Sequence, residues 1–151
     1  MSIEQQINED LKTALKAGEK EIVAAYRTVL AQIKDERIKL RVEREMTEDD
    51  VIGVILNAAK KRKEAIDIYR KNNREDLATR EETELNLLQK YLPKKMTEDE
   101  VKEVILNIIQ QTNASSIKDL GKVMGIAMKE LKGKAEGQLI QSIVREQLSQ
   151  I

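Results

Sequence analysis

Apolar residues recur at intervals of three and four along most of this chain, and polar breaks divide that rhythm into helical segments. Ile3, Ile7, Leu11, Ala14 and Leu15 form a stripe that Ser2 and Gln5 open as a capping box and Gly18 closes, which predicts a helix over 2–17. A second helix is expected over 19–44, with Ile22, Ala25, Tyr26, Val29, Leu30, Ile33 and Leu40 on its buried face. Thr47 with Asp50 opens a third, carrying Val51, Ile55, Ala58, Ala65, Ile66 and Tyr69. Asn72-Asn73 interrupts it, and a fourth runs from Arg74 through Leu77, Leu85, Leu88 and Tyr91 to Pro93. Pro93 is the only proline and disfavours helix in the residue before it, so a boundary is placed there. Beyond it, Thr97 with Glu100 opens a fifth helix with Val101, Val104, Ile105 and Ile108, which ends at Thr112-Asn113-Ala114-Ser115. The sixth places Ile117, Leu120, Val123, Met124, Ala127, Met128 and Leu131 on one side, and the seventh carries Leu139, Ile140, Ile143, Val144 and Leu148. The pattern predicts an all-α, multihelical chain of two subdomains, with four helices in 1–92 and three in 93–151.

Composition narrows the chemistry. The chain of 151 residues has 40% hydrophobic and 36% charged residues, with no His, Cys, Phe or Trp. A cysteine nucleophile, a histidine base, a zinc site and a disulfide are therefore all excluded. Lys plus Arg and Asp plus Glu both number 27, so a polycation that coats nucleic acid through overall charge is not expected. The N-terminus, Met-Ser-Ile-Glu-Gln-Gln-Ile, carries acid where a secretion signal needs a basic start, and no run approaches the ~20 apolar residues of a membrane-spanning helix. A cytoplasmic protein without a membrane partner is the expectation.

Any electrostatic binding must then come from local asymmetry, and one stretch supplies it. Between Ser115 and Gly137 fall four of the six glycines. At 100° per residue, Lys118, Lys122, Lys129 and Lys132 occupy an arc of roughly 80° with Gly125 inside it. From Lys118 to Lys134 five lysines face only Asp119 and Glu130. Gly133 stands where a helix C-cap is expected and leaves Lys134 at a glycine-bounded turn; Arg145, on the next helix, is added to the same surface. A lysine stripe crossed by bare backbone lets a bulky anion approach closely, and a nucleic-acid phosphate backbone is the natural one. Two other readings stay open: the solvated side of an amphipathic helix, and a seat for a neighbouring helix on Gly121 and Gly125.

Other constellations carry less. In Lys60-Lys61-Arg62-Lys63, Arg62 projects from the face that bears Val51, Ile55 and Tyr69, which predicts a half-buried ion pair or a stem lying over the core. Lys60, Lys63, Arg70, Lys71 and Arg74 are diluted by Glu64, Asp67, Glu75 and Asp76. Of the acidic clusters, Glu48-Asp49-Asp50 and Glu98-Asp99-Glu100 are explained as helix starts, leaving Glu81-Glu82-Glu84. The echo between Met46-Thr47-Glu48-Asp49-Asp50-Val51 and Met96-Thr97-Glu98-Asp99-Glu100-Val101 stops soon after and reads as two convergent helix starts. No calcium loop, phosphate loop or dinucleotide fingerprint occurs, so neither cofactor nor metal is expected. All three tyrosines precede Pro93, so a folded RNA read through its phosphates suits the C-terminal part better than base stacking does.

Asn8-Glu9-Asp10-Leu11-Lys12, Arg74-Glu75-Asp76-Leu77-Ala78, Tyr91-Leu92-Pro93, Gly121-Lys122-Val123-Met124-Gly125 and Lys132-Gly133-Lys134-Ala135 together resemble the GatB/YqeY family, in its stand-alone YqeY-like form. The last two stretches are similar to the tail domain of the B subunit of the tRNA-dependent amidotransferase, a helical domain that engages the tRNA body. The resemblance implies an all-helical fold of two subdomains and a tRNA-binding role for Lys122, Lys132 and Lys134. Lys118, Lys129 and Arg145 join them by the helical-face reasoning alone. The amidotransferase's kinase and transamidase region has no counterpart here, so a glutamine-dependent carbon-nitrogen ligase label attaches by association only, and no catalytic residue is assigned. The expected partner is tRNA or another structured RNA; the alternative is a protein-protein adaptor or amidotransferase accessory.

Overall fold

The helix starts that the sequence marks with Ser or Thr close as reciprocal caps. In the computed structural model, which describes residues 1–151, Ser2, Thr47 and Thr97 each accept a hydrogen bond from the backbone N–H three residues on, while Gln5, Asp50 and Glu100 reach back to the cap. The chain is all-helical: α1 (Ile3–Ala17), α2 (Lys20–Leu40), α3 (Glu48–Lys71), α4 (Glu75–Gln89), α5 (Glu98–Thr112), a 3₁₀ turn (Ile117–Asp119), α6 (Leu120–Glu130) and α7 (Gly137–Ser149). The left-handed conformation that ends a helix is taken by Gly18 (φ 71°), Asn73 (φ 58°), Asn113 (φ 54°) and, in the turn after α6, Gly133 (φ 78°). Glycine and asparagine tolerate that region best, which is why these punctuation marks were readable.

The chain divides into two compact units, Met1–Leu92 and Pro93–Ile151. In the first, α1 and α2 form a hairpin and α3 and α4 another, around Ile7, Val29, Ile33, Val51, Ile55, Ala78 and Leu88. Ile7, Ile33 and Ile55 are wholly buried, each contributing roughly 1.5–3 kcal/mol of transfer free energy. In the second, α5, α6 and α7 pack about Val101, Ile105, Val123, Ala127, Leu131, Ile140 and Val144.

The structure corrects two boundaries. The second helix was expected to reach Arg44 but stops at Leu40, followed by a turn in which the N–H groups of Glu43 and Arg44 both bond the Leu40 carbonyl. Val42 is 86% exposed and finds no core to hold a further turn, while the Arg44 guanidinium reaches Asp50 at 2.8 Å in the cap of α3. The sixth helix is likewise shorter at both ends. Its expected apolar side fails at Ile117 and Met128, which are 49% and 44% exposed, whereas Ile126 packs inward.

Candidate nucleic-acid interface

Within α6, Val123 and Ala127 face the core of the second unit and turn Lys122, Gly125 and Lys129 outward, all exposed. Those three positions share an arc of roughly 60°, and the lysines stand about 10 Å apart along the axis. Lys118 and Lys132 do not belong to that helix. Lys118 lies in the 3₁₀ turn, whose tighter winding breaks the 100° register, and Lys132 lies in the turn that follows Glu130. The single straight stripe thus reduces to a helical centre with a flanking lysine at each end. Arg145 is exposed on α7, a separate helix whose Ile143, Val144 and Leu148 turn inward.

Every ammonium group of this set is free of ion pairing. Eleven salt bridges form in the protein, and none involves Lys118, Lys122, Lys129, Lys132 or Lys134. Asp119, the nearest carboxylate in sequence to Lys118, is engaged elsewhere. Its Oδ2 accepts from the N–H groups of Ser115 at 2.8 Å and Ser116 at 3.3 Å, and these bonds hold its carboxyl below the usual range.

The glycines of α6 are equally telling. A Cβ built on Gly121 or on Gly125 would meet nothing within 4 Å. Neither glycine is therefore required for packing within the unit, although each weakens a helix interior by roughly 0.8–1 kcal/mol relative to alanine.

One contribution to this surface was hidden from the sequence. The Met96 N–H donates to the Lys134 carbonyl at 2.8 Å, and Lys95 lies 3.5 Å from Glu136. The segment after Pro93 is thereby fastened to the Gly133 turn, and Lys94 and Lys95, both exposed, stand beside Lys132 and Lys134. The proline, the doubled lysine and the glycine turn were each visible, but nothing local linked positions nearly forty residues apart.

In the first unit the polar constellations are structural. The Arg62 guanidinium lies between Glu81, at 2.8 Å, and Glu84, with all three side chains about one-fifth exposed, as the sequence predicted for a half-buried pair. Burial pushes the Glu84 carboxyl up, against the pull of Arg62. The Tyr91 hydroxyl donates to Asp10, whose carboxyl is held down chiefly by that bond and further by Lys90 at 3.1 Å; burial and Asp10 push the phenol up. Tyr91 also meets Tyr26 edge to face, with ring centroids 6.2 Å apart. These contacts explain why Asn8-Glu9-Asp10-Leu11-Lys12 and Tyr91-Leu92-Pro93 occur together: they join α1 to the end of α4. No group of three or more Asp or Glu side chains is arranged to hold a metal ion, and no helix is long and apolar enough to cross a membrane.

Fold and surface together define an all-helical protein of two units, the second bearing an unpaired lysine surface interrupted by bare helix backbone. Residues 4–148 match the family described as Yqey-like protein, and the chain belongs to that family. Among curated relatives, it is 37% identical over 86 residues to "Altered inheritance of mitochondria protein 41, mitochondrial" of Vanderwaltozyma polyspora, covering 57% of this chain and 46% of that one. It is 30% identical over 93 residues to an uncharacterized protein of Schizosaccharomyces pombe, covering 61% of this chain and 73% of the relative. A stretch of 61 residues is 34% identical to a glutamyl-tRNA(Gln) amidotransferase subunit of Methanobrevibacter smithii, covering 37% of this chain and 10% of that relative. The chain thus spans less than half of the Vanderwaltozyma relative and a tenth of the Methanobrevibacter one.

Proposed function

We propose that this protein is a non-catalytic helical module of the cytoplasm that binds tRNA or another structured RNA through the second unit, at Lys122, Gly125 and Lys129 with Lys118, Lys132, Gly133 and Lys134 around them. The observation that carries this reading is the pair of α6 glycines, open to solvent among unpaired lysines. A residue that weakens its own helix and packs against nothing inside the protein is explained by something outside that must come close to the backbone. A phosphate backbone fits the positive charge, and the similarity of part of the chain to a glutamyl-tRNA amidotransferase component supports the choice of RNA. Arg145 belongs to the proposed surface only if the RNA also reaches α7.

Filter binding of purified protein to total tRNA at two salt concentrations tests this. With Lys122, Lys132 and Lys134 all changed to Gln, the affinity should fall steeply and the salt slope should flatten by about 0.7–0.9 per lost phosphate contact. Unchanged binding in that triple variant would remove the site.

The exposed Ile117 and Met128 favour a second reading, in which a partner helix of the amidotransferase or of another protein seats on Gly121 and Gly125. In that case Gly125→Leu abolishes a pull-down of the amidotransferase subunits while the lysine substitutions leave it intact. A carbon-nitrogen ligase activity has no residues to carry it here and would require glutamine-dependent turnover by the purified chain.

A further inference from the structure

The segment that enters the second unit ends against the turn that leaves α6. Through the 2.8 Å bond from the Met96 N–H to the Lys134 carbonyl, two lysines from one end of the unit join two from the other. Lys94, Lys95, Lys132 and Lys134 are all exposed, and the carboxylate among them is that of Glu136, 3.5 Å from the Lys95 ammonium. Glu136 and Lys95 are 70% and 62% exposed, so neither is needed to fill or seal the core. Glu136 is the N-cap of α7, yet its side chain makes no capping bond and is left free for Lys95.

We propose that Lys94 and Lys95 form, with Lys132 and Lys134, a second phosphodiester-binding subsite beside the α6 face, and that Glu136 occupies it as an internal competitor which the RNA backbone displaces. This rests on the reading of the second unit as an RNA-binding surface and extends it to residues outside the glycine-lysine stretch. The chemistry is an exchange of one anion for another. An exposed Lys-Glu pair is weak, so a polyanion that offers several phosphates displaces the carboxylate readily. The competitor lowers affinity for a single stray anion while permitting a long one to bind.

Fluorescence anisotropy with fluorescein-labelled total tRNA tests this on the full chain at several salt concentrations, with far-UV circular dichroism confirming that each variant stays folded. Changing Lys94 and Lys95 together to Gln should weaken binding and reduce the salt slope by about 1.4–1.8, the loss of two phosphate contacts. Glu136→Gln should tighten binding by about 2- to 5-fold, the range of one surface ion pair. Glu146→Gln, an exposed carboxylate on α7, should change it less. A purely structural clasp predicts no gain from Glu136→Gln. If Lys94→Gln with Lys95→Gln binds as the parent does while Lys122→Gln with Lys129→Gln is impaired, the subsite is refuted and the α6 surface stands. If Glu136→Gln and Glu146→Gln tighten binding equally, the competitor is refuted. If the parent itself does not bind, both proposals fail.

Discussion

Replacing Gly121 and Gly125 with alanine separates two things that usually move together, the stability of an element and its fitness for a partner. A Cβ at either position enters open space, so the substitution creates no clash and fills no cavity. What remains is intrinsic propensity. Alanine is favoured over glycine in a helix interior by roughly 0.8–1 kcal/mol, so each variant should stabilise the second unit by about that much and the pair by about 1–2 kcal/mol. For a unit of this size, 1 kcal/mol moves the melting temperature by about 4–8 °C. The tyrosines supply an internal control. Tyr26, Tyr69 and Tyr91 all lie in the first unit, so tyrosine fluorescence follows that unit alone while far-UV circular dichroism follows both. Urea titration of the double variant should shift the circular-dichroism transition and leave the fluorescence transition unmoved. The same variant should bind tRNA several-fold more weakly, because two methyl groups now stand on the face that the phosphate backbone approaches. A stability that fell would refute the idea that α6 is open at these positions. A stability that rose with tRNA affinity unchanged would mean that no partner approaches the bare backbone.

Two further outcomes concern the first unit. Tyr91→Phe deletes the hydroxyl that holds the Asp10 carboxyl below its ordinary value of 3.8, and at pH 7 it should cost about 1–2 kcal/mol, a charged hydrogen bond discounted for partial exposure. Because Asp10 titrates lower when folded, this contribution is present above about pH 4 and vanishes as pH falls through the folded value, so parent and variant should converge in urea titrations carried toward pH 2; a constant difference across that range would contradict the assignment. Arg62→Met leaves Glu81 and Glu84 facing each other half-buried and should cost about 1–3 kcal/mol at pH 7. The loss should be smaller near pH 4, where Glu84, raised by burial, takes up a proton more readily than an ordinary glutamate; a variant as stable as the parent at both pH values would show that the pairing contributes nothing.

The sequence alone determined the elements of this protein, because what starts and stops a helix acts over three or four residues. Ser2, Thr47 and Thr97 find their partners within one turn, and Gly18, Asn73 and Asn113 adopt the left-handed backbone open to few residue types. The placement of Arg62 on an apolar face was enough to foresee a half-buried ion pair, but not that two glutamates would share it, since α4 meets α3 only in the folded chain. Where apolar contacts run out, periodicity overstated the helices. The stripe predicted from Lys118 to Lys132 assumed one unbroken helix, and the structure interposes a 3₁₀ turn at one end and a glycine turn at the other. Tertiary structure alone decided which charges remain free and which lysines assemble around Gly133. Those outcomes depend on the course of the backbone between distant segments, and a single hydrogen bond from Met96 to Lys134 brings Lys94 and Lys95 to a surface that no local pattern could assign to them.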